Sequence, residues 1–176
     1  MSQFLAYPGF SMARAARSTK VLLTAFNLVV AVAIAVGIVM YQVRTGLTPR
    51  GTTAYYVAAQ DEGPSALELL DATHPHLFAT AFLLFVLGHL FALTRASPQV
   101  KTWLAVLGFT AVVVDAAGPW IIRFLWPAFA VVHAVNVALL AGVVLIYVAV
   151  PLWELWFVKP GPAAPPAPSV PPTSPS

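Results

Sequence analysis

Thr73-His-Pro-His-Leu-Phe-Ala-Thr-Ala-Phe-Leu-Leu-Phe-Val-Leu-Gly-His-Leu-Phe-Ala-Leu-Thr-Arg95 carries three of the chain's four histidines, His74, His76 and His89, in a run long enough to cross a bilayer. An apolar helix spans ~30 Å of hydrocarbon with ~20 residues. Ionisable groups at that depth are expensive, so each one is a candidate for function. The remainder of the chain reads as scaffold around this run.

Working outward, the whole chain has 176 residues, 60% of them hydrophobic and 9% charged. That leaves too little polar surface for a water-soluble globule and points to a membrane protein forming one domain. The formal charge of +3 arises from 9 basic and 6 acidic residues placed between the apolar runs, with no basic cluster to follow a phosphate backbone. Nucleic acid is therefore excluded as a partner, and the lipid bilayer is the expected one. The chain has no cysteine. Disulfides, thiolate metal sites, iron–sulfur clusters and covalently attached c-type haem are excluded with it, leaving His, Asp and Glu as possible metal ligands.

Four apolar helices are expected, at about 21–43, 74–94, 102–123 and 127–156, inside a transmembrane domain spanning 21–158. Residues 1–20 form a basic cytoplasmic segment with Arg14, Arg17 and Lys20, and Met12 is an alternative start. The apolar run that follows is longer than a signal-peptide core, so it reads as a retained helix. The long connection from Arg44 to Asp71 contains Asp61, Glu62, Glu68 and Asp71. Within it Ser65-Ala-Leu-Glu68 matches a capping box, predicting a short helix lying on the membrane surface through Leu67, Leu69 and Leu70. Thr73 then serves as the N-cap of the second transmembrane helix, with Pro75 in its first turn. In the third helix, Pro119 cannot donate to the carbonyl of Asp115, so a bend or fraying is expected there. Pro127 opens the fourth. The tail 159–176 is Pro-, Ala- and Ser-rich and reads as disordered.

Orientation follows from the basic residues. Arg14, Arg17, Lys20, Arg95, Lys101 and Lys159 fall on one side, and Arg44, Arg50 and Arg123 on the other. The richer side is cytoplasmic, which puts both termini inside. The architecture is thus an all-α integral membrane four-helix bundle, N-in and C-in, in the bacterial cytoplasmic membrane.

Taking ~1.5 Å of rise per residue, His76, Asp115, His133 and Asn136 converge in the outer leaflet, with His74 at its edge. His89 lies ~20 Å from His76 towards the cytoplasm, at the level of Asn27 and Thr110. Three chemistries compete for the outer cluster. A b-type haem would take His74 or His76 opposite His133. A metal ion would take His74, His76 and His133 with Asp115, but residues i and i+2 of a helix point to nearly opposite sides, so His74 must lie just outside the helix. A quinone or proton site needs only a histidine and a carboxylate, with Arg123 holding Asp115 ionised. Against all three stands a packing role: an Asp115–Arg123 lock, and His133 and Asn136 as interhelical glue. His89, beside Gly88, reads as a packed bundle histidine. Trp103, Trp120, Trp126, Trp153 and Trp156 read as interfacial anchors.

Glu68-Leu-Leu-Asp-Ala-Thr-His-Pro-His-Leu-Phe78 with Leu87-Gly-His-Leu-Phe-Ala-Leu-Thr94 resembles a group of uncharacterised four-helix bacterial membrane proteins sharing this second helix, over Val21 to Trp156. A His-x-His at the mouth of a transmembrane helix is also similar, over two residues, to membrane families associated with haem or copper. The expected role is an accessory of membrane redox chemistry, alongside other membrane redox subunits, rather than an enzyme. The alternative is a cofactor-free structural subunit or assembly factor. A transporter ranks behind both, because no internal repeat is present for alternating access.

Overall fold

The computed structural model describes residues 12–57 and 63–159. The N-terminal stretch 1–11, the acids Asp61 and Glu62 and the Pro-rich tail 160–176 lie outside the described residues. A short 3₁₀ turn, Met12–Arg14, precedes α1 (Arg17–Thr45), and α2 (Pro49–Val57), α3 (Ala66–Ala92), α4 (Pro98–Trp120) and α5 (Ala130–Phe157) follow, with no strand among the described residues. Four helical spans, Arg17–Thr45, Ala66–Ala92, Pro98–Leu125 and Pro127–Phe157, are long and apolar enough to cross a membrane. The chain is a multi-pass all-α membrane protein.

The side-chain distribution follows from lipid acting as the solvent. Val29, Phe82, Val113 and Leu145 face outward on α1, α3, α4 and α5. In water such surfaces would aggregate, whereas hydrocarbon accepts them and demands only that backbone polar groups bond within each helix. The packed interior is built by α3, α4 and α5 around Leu84, Leu87, Phe91, Val112, Val143 and Tyr147. Gly108 makes the α4–α5 approach close, since a Cβ there would stand 3.3 Å from Val143 Cγ1. Small residues at such crossings let helices gain dispersion contacts that lipid would otherwise supply.

α1 is peripheral and buries only Asn27, Val30 and Thr45. Polar contacts tie down both of its ends. At one end Lys20 Nζ donates to the Leu155 carbonyl at 2.6 Å and Trp156 Nε1 donates to Thr24 Oγ1 at 3.0 Å. At the other, Tyr41 Oη and Thr52 Oγ1 share a hydrogen bond of 2.8 Å, joining α1 to α2. The first of these ends also holds Glu154, which accepts the Arg95 backbone N–H at 2.7 Å, and the Lys159 carbonyl, which accepts from Arg95 Nη2. Lys20, Arg95 and Lys159 therefore share one end of the bundle.

Several boundaries differ from the sequence reading. The Ser65–Glu68 capping box forms, with Ser65 Oγ accepting from Glu68 N and Glu68 accepting from Ser65 N at 2.7 Å. It starts α3 itself and not a separate surface helix, and Pro75 lies inside the helix. A proline in a helix removes one donor and leaves the flanking bonds intact, which transmembrane helices tolerate. At 27 residues α3 is ~40 Å long, so about two turns project beyond the ~30 Å hydrocarbon layer. The short helix of the first connection is α2, at Pro49–Val57. In α4, capped by Ser97 and starting at Pro98, Pro119 produces no fraying. The helix continues to Trp120 and then widens into a π turn, Ile121–Leu125, closed by Trp126 N–H on the Ile121 carbonyl at 2.6 Å.

Candidate functional site

The continuity of α3 sets the geometry of its histidines. His74 and His76 both lie on the regular helix and, two residues apart, point to nearly opposite sides. His74 looks outward beside Leu70, Asp71 and Pro75. His76 turns towards α4, where its Nε2 meets Asp115 Oδ2 at 3.1 Å. The sequence condition for a metal site, His74 outside the helix, is not met. Among the described residues no three of His, Asp and Glu are grouped to hold a metal ion.

The His76–Asp115 pair is asymmetric, with His76 62% exposed and Asp115 only 15%. The carboxylate sits in the α3–α4 seam and accepts, while Nε2–H donates and Nδ1 remains on the open side of the ring. Next to the pair, Trp120 Nε1 donates to Thr73 Oγ1 at 3.0 Å. The residue expected to cap a helix thus joins α3 to α4, and the tryptophan expected to anchor an interface closes the same seam.

Asp115 and Arg123 do not form the expected lock. Arg123 Nη1 donates to the Tyr56 carbonyl at 3.2 Å, across to α2. Eight residues along a helix amount to ~12 Å of rise, and without fraying at Pro119 nothing folds Arg123 back onto Asp115. Gly63 belongs to this contact, since a Cβ there would stand 2.6 Å from Arg123 Nη1. Burial, aided by the neighbouring Tyr55 and Tyr41 and by Asp115, pushes the Tyr56 hydroxyl up to about 12, so it remains protonated.

His133 is buried on α5 at 4% exposure, with its Nδ1 unpartnered among the described residues. Its ring lies hard against Gly118 of α4, where a methyl group would overlap Nδ1. Tyr41 from α1 meets the ring edge-on, with centroids 6.3 Å apart. One turn deeper, Asn136 Nδ2 donates to the Ala111 carbonyl at 2.9 Å. Gly118 closes off the Nδ1 side of the His133 ring, so a ligand could reach this histidine only through Nε2.

His89 is not packed in the interior. It lies in the last turn of α3, exposed, on a groove shared with Lys101 and Thr102, whereas Gly88 beside it faces Tyr147. Of the expected set, then, the structure joins His76 to Asp115 and packs His133 and Asn136 against α4. It leaves His74, His89 and Arg123 elsewhere. Sequence reasoning missed Tyr41, Tyr56, Gly118 and Trp120; Gly118 had a signal, a helical glycine one turn beyond an intramembrane acid.

These observations define a helical membrane domain with one polar seam, His76–Asp115 and Thr73–Trp120, between α3 and α4. Residues 46–162 match the model of the Aq_1264_TM family, described as a transmembrane helical domain, and the chain belongs to that family. Neither the curated proteins nor the solved structures contain a match.

Proposed function

We propose that the protein is an accessory of bacterial membrane redox chemistry in the cytoplasmic membrane, with both termini inside and a quinone or proton site at the outer ends of α3 and α4. The observation that supports this reading is the His76–Asp115 pair, a largely buried carboxylate behind an open imidazole. A histidine held in this way orients one nitrogen by the carboxylate and offers the other to a ligand oxygen. When the ring is protonated, Nδ1–H would donate to a quinone carbonyl, or pass that proton to an oxygen at the site, leaving a neutral ring that recovers a proton from the aqueous edge. Asp115 keeps the ring oriented and stabilises its charged form. This chemistry needs only the histidine and the carboxylate that the pair already brings together.

Binding of a short-chain benzoquinone to the detergent-solubilised protein, followed by tryptophan quenching, tests the reading. His76→Ala should weaken binding about tenfold, the scale of one charge-assisted hydrogen bond, and His89→Ala should leave it unchanged. Binding that His76→Ala does not weaken would overturn it. A second reading, a cofactor-free structural subunit, draws support from Asn136 on Ala111 and from the His133–Gly118 contact, both of which join α4 to α5. Absence of binding to the unmutated protein favours that reading.

A further inference from the structure

At the opposite end of the bundle, α3 and α4 line an open groove of about 430 Å³. Its walls are apolar and aromatic, with Phe85 on α3 and Val106 and Phe109 on α4, and its polar residues are His89, Lys101 and Thr102. Phe85, Val106 and Phe109 are also exposed at the helix surface, so the groove opens directly to lipid. Lys101 donates one hydrogen bond, to the Thr94 carbonyl at 2.7 Å, and an ammonium group retains two further N–H donors. Lys20, Arg95 and Lys159 lie at the same end, where the buried Glu154 already serves the Arg95 backbone. Lys101 is thus the cation of the groove itself, and this end of the bundle carries three more.

We infer that this groove binds an anionic phospholipid, one acyl chain lying along Phe85, Val106 and Phe109 and the phosphate at Lys101 with His89 and Thr102 beside it. Shape and charge agree on this occupant: an apolar channel open to the bilayer takes a chain, and cations at its interfacial end complement a phosphate. A zwitterionic lipid fits the channel equally well but gains less from the cations. The inference is independent of the His76–Asp115 site, which lies at the other end of α3.

The test is native mass spectrometry of the full chain in mixed micelles containing equal phosphatidylglycerol and phosphatidylcholine, with thermal stability measured in each lipid alone. The unmutated protein should retain phosphatidylglycerol preferentially and melt higher in it. Lys101→Gln should reduce that preference about fivefold, the scale of one cation near a phosphate, and Lys101→Arg should restore it. Ala105→Phe, which fills the groove and leaves Lys101 in place, should remove the bound lipid. Equal retention of the two lipids, an undiminished preference in Lys101→Gln, bound lipid persisting in Ala105→Phe, or stabilisation reproduced by inorganic phosphate would each overturn the inference.

Discussion

At the scale of single residues, two contacts carry the geometry of the seam. A methyl group at position 118 would overlap the ring of His133, which is itself buried. Gly118→Ala should therefore destabilise the protein by about 1–3 kcal/mol through overpacking, read as a lower unfolding midpoint in detergent. A neutral result would mean that His133 is not seated there. The His76–Asp115 contact should appear as coupling of about 0.5–1 kcal/mol in a double-mutant cycle of His76→Gln and Asp115→Asn, the open imidazole keeping the value small. Asp115→Asn and Arg123→Gln should add within about 0.5 kcal/mol, because Arg123 is held by the Tyr56 carbonyl. Much of this site was legible in sequence. Asp115, His76, His133 and Asn136 stood out because charged and amide groups are rare in apolar runs, and rise per residue placed them in one leaflet. Their partners were hidden: sequence spacing suggested Arg123 for Asp115, whereas the actual partner comes from another helix, and a carbonyl acceptor such as that of Tyr56 has no sequence signature.

At the scale of elements, α3 shows what sequence reading reaches and where it stops. The box at Ser65–Glu68 was visible and both of its hydrogen bonds form, but it was assigned to a separate short helix, with Thr73 as the cap of the spanning one. Its extent was not visible, because Pro75 and the flanking polar residues resemble a helix start as closely as a helix interior. Continuity through Pro75 then decided the chemistry, by sending His74 and His76 to opposite sides. If the first two turns of α3 depend on this box, Ser65→Ala should cost about 1 kcal/mol and speed amide exchange in Ala66–Thr73 while leaving Leu84–Ala92 protected. Uniform exchange along α3 in the variant would show that the projecting turns are held by something other than the cap. The π turn after Pro119 was likewise illegible, since the residue pattern there fits a bend, fraying or a widened turn equally well.

At the scale of the whole molecule, the four spans were legible because lipid imposes a length and a composition that few other structures share. The order of packing was not, as apolar residues cover every face of each helix, and the peripheral place of α1 follows from contacts at its two ends that periodicity does not reveal. The bundle sorts its polar groups by end, with Lys20, Arg95, Lys101 and Lys159 towards one and the His76–Asp115 seam towards the other. The central claim, that this seam opens to the outside, depends on which end faces the cytoplasm. The absence of cysteine from the chain permits a direct measurement without background: Ala66→Cys and Gln99→Cys, each exposed, treated on intact cells with a membrane-impermeant maleimide. The account expects Ala66→Cys to label in intact cells and Gln99→Cys to label only after the cells are opened. Labelling of Gln99→Cys from outside, with Ala66→Cys protected, would contradict it.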